Sequence, residues 1–328
     1  MLGSGMEAPA KPVGGIDDPP TFQEFDKWFA DEDACLEYIG KLRWPNGFTC
    51  PNCGLHPENP SRIGGGLYLC VQCKKQTSIT AGTLFHQTHK SLRTWFLAMW
   101  FITSQKYGTS ALGLQRILGI GSYNTAWNWL HKLRRAMVCP ERNRLTGTVE
   151  VDETYIGGVA TGARGRGAGR KSIVVIAVEV LGRGMGRIRM SVIPDVSANS
   201  LHGFISNSVE KGSEVRSDGW SGYKGLEKKG YSHDAVNISE SGDPAHVVMS
   251  RVHRVASKLN RWWLGIHQGA IRPEQLAYYL DEFTFRFNRR TSKARGLLFY
   301  RLAQLAADCK PIARQAIIGG QKQHVVGG

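Results

Sequence analysis

The sequence predicts an α/β fold, a mixed sheet with flanking helices, preceded by a small metal-binding ribbon and a helical region. Three observations carry this. Two CxxC pairs stand near the start, at Cys50/Cys53 and Cys70/Cys73. A strongly apolar and then basic helical stretch follows, over residues 89–143. Behind it come three strand-like runs parted by glycine-rich loops, then alternating helices and strands, and two of the strands end in an aspartate.

A chain of 328 residues has room for two or three domains and at least one sizeable core. Its 41% hydrophobic and 21% charged content is that of a soluble globular protein. The net charge of +15 points to a polyanionic partner, with nucleic acid ahead of a membrane surface. The longest apolar stretch, around Trp95 to Ile102, is too short to span a bilayer. The first fifteen residues hold no apolar signal core, and seven cysteines with two CxxC pairs suit a reducing compartment. The expectation is a cytoplasmic protein, nucleoid-associated when bound to DNA.

Taken in order, residues 1–21 are rich in Gly, Pro and Ala and read as a disordered tail. Residues 22–88 read as a helix plus a ribbon. Phe22 to Leu42 carries one apolar stripe of period 3.6, which predicts a single helix. Cys50, Cys53, Cys70 and Cys73 form C-x2-C-x16-C-x2-C, a spacing that sets four thiolates around one structural Zn²⁺. His56 and His86 are weaker alternative ligands. With no open coordination position, the metal would stabilise a fold and do no chemistry.

Residues 89–143 predict a helix over Leu92 to Gln105, a second helix, a Gly119-Ile120-Gly121 turn and a third helix from Ser122. In the third, Ala126, Trp129, Leu130 and Leu133 are expected to face inward, with Asn124, Asn128, His131, Lys132, Arg134 and Arg135 facing out. That is helix-turn-helix patterning, with Lys132, Arg134 and Arg135 as candidate DNA contacts. An ordinary helical hairpin with a solvated basic face is the alternative.

Residues 144–300 form the predicted α/β domain. VEVDETYIGG alternates as a strand and delivers Asp152 to its exposed end, with Glu153 on the opposite face. The loop that follows carries Arg164, Arg166, Arg170 and Lys171, able to track a phosphate backbone or simply to be solvated. Ser172 to Leu181 and Gly186 to Pro194 continue an antiparallel meander, and Ser197 to Glu210 predicts a helix. EVRSDGWSGY is a short strand running into Asp218. Leu226 to Ser239 gives a turn and a strand, Ser250 to Leu264 a helix, and residues 301–328 a C-terminal helix and tail.

Two aspartates at the ends of different strands fit the logic of a two-metal nuclease, in which carboxylates hold divalent ions about 3.5–4 Å apart. Mg²⁺ or Mn²⁺ suits such hard oxygen ligands. A third ligand is expected from a following helix, where 34 residues separate His253 from Asp218.

Here FTCPNCG with YLCVQCKKQTSITAGTLF, VEVDETYIGG, RSDGWSGY, HRVASKLNRWW and FTFRFNRR occur in order between about residues 22 and 300. In these motifs the chain resembles the DDE transposases of bacterial insertion sequences that carry an N-terminal zinc ribbon, with Merlin-type elements as distant relatives. The resemblance implies an RNase H-like catalytic domain that cuts the element's DNA ends and joins the 3′-hydroxyls to target DNA. It implies metal binding by Asp152 and Asp218, double-stranded DNA as partner, and a homo-oligomer on DNA. At the third position the chain departs from the pattern. Relatives often carry Glu in a stretch like VEGFWSxLKR, and aligning Ser257 to Arg261 with its end puts His253 in that place and Asn260 where Lys is common. Glu282 and Asn288 are later alternatives for the third ligand. Arg289 and Arg290, beside Arg286, would add a DNA clamp, against a solvated helix end. A DNA-binding regulator with a decayed catalytic domain and a structure-specific nuclease without strand transfer are the rival readings.

Overall fold

Asp31 divides what the apolar stripe predicts as one helix. Its carboxylate accepts the N–H of Ala34 at 2.8 Å, so the chain starts a new helix there, giving α1 (Phe22–Trp28) and α2 (Glu32–Arg43). Residues 12–58, 60–138, 143–157, 171–236, 248–267 and 271–319 are described in the computed structural model. They fall into two compact units. One runs to Ala126 and includes Ser292–Pro311; the other holds Trp127–Thr291 and resumes at Ile312. No helix among the described residues is long and apolar enough to cross a membrane.

In the first unit, α2 is followed by a three-stranded antiparallel ribbon, β1 (Ser61–Gly64), β2 (Leu67–Leu69) and β3 (Gln76–Ser78), in the order 1-2-3. Then come α3 (Leu92–Ser104), capped by the Ser91 side chain, and α4 (Ala111–Leu118), capped by Ser110 and ended by Gly119 at φ 60°. The helix Gly296–Asp308 returns to this unit rather than extending the sheet domain. Its Phe299, fully buried, meets the rings of Phe25, Phe29, Tyr38, Phe96 and Trp100 at centroid distances of 5.6–6.1 Å. Residues 12–21, expected to belong to a disordered tail, also pack here. Asp18 is fully buried, and the Tyr38 hydroxyl donates to the Asp17 carbonyl at 2.9 Å.

α5 (Tyr123–Ala136) enters the second unit at Trp127. The sheet follows: β4 (Thr148–Ile156), β5 (Ser172–Leu181) and β6 (Gly184–Ile193) form the predicted antiparallel meander. Helix α6 (Ala198–Ser208), with Ser197 as its cap, then carries the chain back so that β7 (Glu214–Asp218) lies parallel to β4 and β8 (Ser232–Val236) parallel to β7. The sheet order is β6-β5-β4-β7-β8. This is the RNase H-like mixed sheet, with helices α7 (Ser250–His267) and α8 (Leu276–Phe287) completing the unit.

Both faces of the sheet are covered, which is why β5 reads as a continuous apolar run rather than an alternating one. On one face Val149, Val151, Val175 and Val215 pack with Leu201, Ile205 and Tyr223. On the other, Val174, Ile176 and Val178 pack with Val252, Val255, Leu259 and Phe283. Trp262 and Trp263 belong to that second core, 6% and 5% exposed, and are unavailable for stacking on bases.

Candidate active site

Strand alternation sets the site. On β4 the odd residues Val149 and Val151 are fully buried toward α6, which leaves Glu150, Asp152 and Thr154 on the face that α7 covers. The parallel pairing of β4 with β7 ends at Glu150 opposite Arg216. Asp152 and Asp218 each stand two residues beyond that pair, but only Asp218 ends its strand. Asp152, expected at the exposed end of its run, sits in the middle of β4, because pairing with β5 carries that strand on to Ile156. The splay of the two parallel strands beyond their last pair, at the carboxyl end of β7, is where ligands gather in open α/β sheets.

Local hydrogen bonds fix each carboxylate. Asp152 Oδ1 accepts the N–H of Glu153 at 2.9 Å, and Asp218 Oδ1 accepts that of Trp220 at 3.1 Å. The second bond makes the turn after β7, and the Trp220 indole locks it by donating to the Val196 carbonyl at 2.9 Å. From α7, His253 brings Nε2 to 3.9 Å from Asp152 Oδ2, with both side chains partly exposed.

Glu153 lies on the other face of β4. There it accepts the Tyr223 hydroxyl at 2.6 Å. Burial pushes the Tyr223 phenol well above its ordinary range, and the charges of Glu153, Asp152 and Asp218 push it further. A fully buried neutral phenol therefore borders the carboxylates and serves as a fixed hydrogen-bond donor beside them. Sequence reading missed Tyr223, although the GY of RSDGWSGY lies within its own motif.

The alternative third ligands are engaged elsewhere. Asn288 accepts the Ile188 N–H at 2.7 Å and donates to the Ile188 carbonyl at 3.2 Å, which ties α8 to β6. Glu282 is 1% exposed and accepts from Arg134 Nε at 2.8 Å and from Arg286 Nε at 2.9 Å.

That pair corrects the expectation for α5. Arg134, read as an outward DNA contact, is 2% exposed, with its guanidinium 3.9 Å from the Tyr279 ring centre. His131, also read as outward, is fully buried against Trp127, Tyr278 and Tyr279. An arginine can turn inward only where a carboxylate meets it, and Glu282 lies 148 residues away in sequence. Lys132 and Arg135 are half-buried. Arg290 is likewise held by backbone, since it donates to the Gly186, Phe287 and Met185 carbonyls and lies over the Phe287 ring. Arg289 donates to the Phe285 carbonyl and lies 4.2 Å from that ring's centre. Arg164, Arg166 and Arg170 fall outside the described residues, and Lys171, just before β5, is half-buried.

In the first unit the four cysteines converge, with Sγ–Sγ distances of 3.7 Å for Cys50–Cys73 and 3.5 Å for Cys53–Cys70. Two equivalent knuckles make this possible. Gly54 N–H donates to Cys50 O and Lys74 N–H to Cys70 O, both at 2.9 Å. The residue after each second cysteine takes the left-handed conformation, Gly54 at φ 74° and Lys74 at φ 58°. The Lys75 N–H draws the Cys73 thiol down to about 6. For Cys53 the Leu55 N–H pulls downward, but burial and the three neighbouring thiols win and raise it to about 12. Four sulfurs this close cannot all ionise without a cation, so the cluster has the chemistry of a metal site. Among the described residues it alone brings three or more Cys, His, Asp or Glu ligand atoms within 4.8 Å of one another. His56 and His86 are not members of it.

Two family models match the chain: the transposase zinc-ribbon domain over residues 30–76 and the ISXO2-like transposase domain over residues 144–288. A protein of the Halobacterium salinarum transposable element ISH50 is 27% identical over 284 residues, covering 79% of this chain and 92% of its own length. Among solved structures, the catalytic core domain of BIV integrase aligns at 18% identity with a TM-score of 0.27, over 42% of this chain and 81% of that one. A simian T-cell lymphotropic virus intasome, solved with the PP2A regulatory subunit B56 gamma, aligns at 14% identity with a TM-score of 0.28, over 58% and 65%.

Proposed function

A chain with a DDE-type transposase domain behind a transposase zinc ribbon is an insertion-sequence transposase by family, and from that premise we propose that it binds its element's terminal repeats, cleaves them and joins them to target DNA. The observation that carries this reading is the placement of Asp152 and Asp218 on adjacent parallel strands, each two residues beyond the last β4–β7 pair, with His253 of α7 beside Asp152.

The donor set fits a divalent cation. Two carboxylates are hard oxygen ligands suited to Mg²⁺ or Mn²⁺, and one imidazole nitrogen tilts the preference toward Mn²⁺. Asp152 and Asp218 would hold such ions, and the chemistry supplied there would be activation of water or a 3′-hydroxyl and stabilisation of the leaving oxygen of the phosphodiester. His253 would complete the ligand set or hold the scissile phosphate. Tyr223, locked on Glu153, keeps the turn after Asp218 and the middle of β4 at a fixed spacing. Zn²⁺ in the Cys50, Cys53, Cys70, Cys73 cluster would shape the ribbon. Lys132, Arg135, Lys171 and Arg289, with Arg164, Arg166 and Arg170, would supply phosphate contacts, in keeping with the net charge of +15. The working form is a homo-oligomer on paired DNA ends, acting in the cytoplasm at the nucleoid.

The test is to incubate the protein with a duplex carrying the element's own ends and a supercoiled target, in Mg²⁺ or Mn²⁺. End cleavage with joined products supports transposition. Cleavage without joining would support a nuclease, and tight end binding with no cleavage a DNA-binding relic.

A further inference from the structure

We propose that Glu150 is a positioning residue for this site, docking the first turn of α7 onto β4 so that His253 is set against Asp152. The proposal rests on the reading of Asp152 and His253 as working residues and deepens it.

Glu150 is fully buried, one pleat below Asp152 on the same face of β4, about 7 Å away along the strand. Both its oxygens are used on α7. Oε2 accepts the backbone N–H groups of Arg251 at 2.9 Å and Val252 at 3.0 Å. Oε1 accepts Arg251 Nη1 at 2.9 Å. The two amides belong to the first turn of an 18-residue helix, where no intrahelical carbonyl is available to them. The negative charge also sits at the positive end of the helix dipole. Arg251 extends the tie, donating from Nε to Gly184 O at 3.2 Å and from Nη2 to Gly182 O at the β5–β6 turn.

The result is a ladder of two rungs. Glu150 holds residues 251 and 252, and one pleat further along β4 Asp152 meets residue 253 at 3.9 Å. A slip of α7 by one residue would carry His253 about 100° around the helix and away from Asp152. The apolar packing of Val252, Val255 and Leu259 gives α7 affinity for the sheet but little to define its register. A buried carboxylate with three donors does define it. Replacing a buried ion pair with apolar residues is often neutral or better for stability, so Glu150 is better explained by the register it fixes than by stability alone. Glu150 is not a catalytic residue, because both of its oxygens are turned to α7.

Three measurements on the full chain test this. In wild type, hydrogen exchange at the Arg251 and Val252 amides should be as slow as in the interior of α7. Exchange at the rate of open first-turn amides would overturn the docking. Next, E150Q, E150L and H253A are compared in metal-dependent cleavage of the element's ends. E150Q should lower kcat by on the order of 10- to 100-fold, as loss of a supporting contact to a ligand does, with KM for DNA unchanged. E150L, which leaves the Arg251 side chain and the two first-turn amides without their acceptor, should melt below wild type and, assayed well below its own melting temperature, still lose that activity. In the H253A background, E150Q should cause no further loss, because it acts through His253. Independent, multiplying losses would overturn the proposal, as would an E150L variant with full activity. Should wild type fail to cleave in either metal, the functional reading falls, while the exchange measurement still decides whether Glu150 docks α7.

Discussion

Arg134 of α5 donates through Nε to Glu282 of α8 at 2.8 Å, and both side chains are 2% exposed. Arg286 closes the other oxygen of the same carboxylate at 2.9 Å. Full burial pushes Glu282 toward protonation, but the two guanidinium groups win and hold its carboxyl below the usual range. The cluster is therefore an ionised structural knot, and none of its members is free for DNA or for a catalytic ion.

Breaking that knot from one side leaves an uncompensated buried charge. Arg134→Ala and Glu282→Gln should each cost about 3–5 kcal/mol, read as a shift in urea midpoint at pH 7. Because the Glu282 pKa is depressed on folding, its contribution is full above pH 4.5 and is lost as the pH falls through the folded value. Metal affinity of the surviving folded Glu282→Gln protein should match wild type. A large loss would return Glu282 to the catalytic site.

Beside the knot, His131 is pushed down to about 2 and His267 to about 4, in both cases first by burial and then by the charge of Arg134. Their unfolded values lie near 6.5. As pH falls from 6.5 toward 5, the unfolded chain therefore takes up two protons that the folded protein refuses. Stability should fall with a slope approaching two protons in that window, about 1.4 kcal/mol per pH unit for each. Neither His131 nitrogen has a hydrogen-bond partner among the described residues, so His131→Phe should fold and halve the slope. Denaturant midpoints between pH 5 and 7 measure it.

Local signals explain which parts of this were legible in the sequence. The meander, β7 ending in Asp218, and the two CxxC knuckles each declare themselves within a dozen residues, through alternation, turn glycines or ligand spacing. What failed was long-range. Arg134 looks the same in the sequence whether it faces solvent or Glu282, 148 positions on. The break at Asp31 lies inside an unbroken apolar stripe and rests on a single cap. Glu150 and Tyr223 carry no local signal, because their meaning lies in what they touch, Arg251 and Val252 in one case and Glu153 in the other. The return of the helix Gly296–Asp308 to the first unit is set by Phe299 filling an aromatic cluster assembled from three other helices.

The cysteine cluster should bind one Zn²⁺ per chain, with affinity on the order of 10 kcal/mol and falling in acid, because the thiols must ionise. Metal analysis of the purified protein and calorimetry with and without a chelator check this. Chelation or Cys70→Ser should lower the melting temperature of the first unit while the sheet unit melts as before. A stoichiometry well below one, or no change in melting, would contradict it.

The most direct measurement of the central claim is cleavage of the element's ends, in Mg²⁺ and in Mn²⁺, by wild type, Asp152→Asn, Asp218→Asn and His253→Ala, with end binding measured alongside. Removing a metal-binding carboxylate should cost several kcal/mol of transition-state stabilisation, on the order of 10³-fold in rate. The account predicts that loss for both aspartate variants, a smaller and more Mn²⁺-rescuable loss for His253→Ala, and unchanged end binding throughout. Cleavage that survives Asp152→Asn or Asp218→Asn would contradict it.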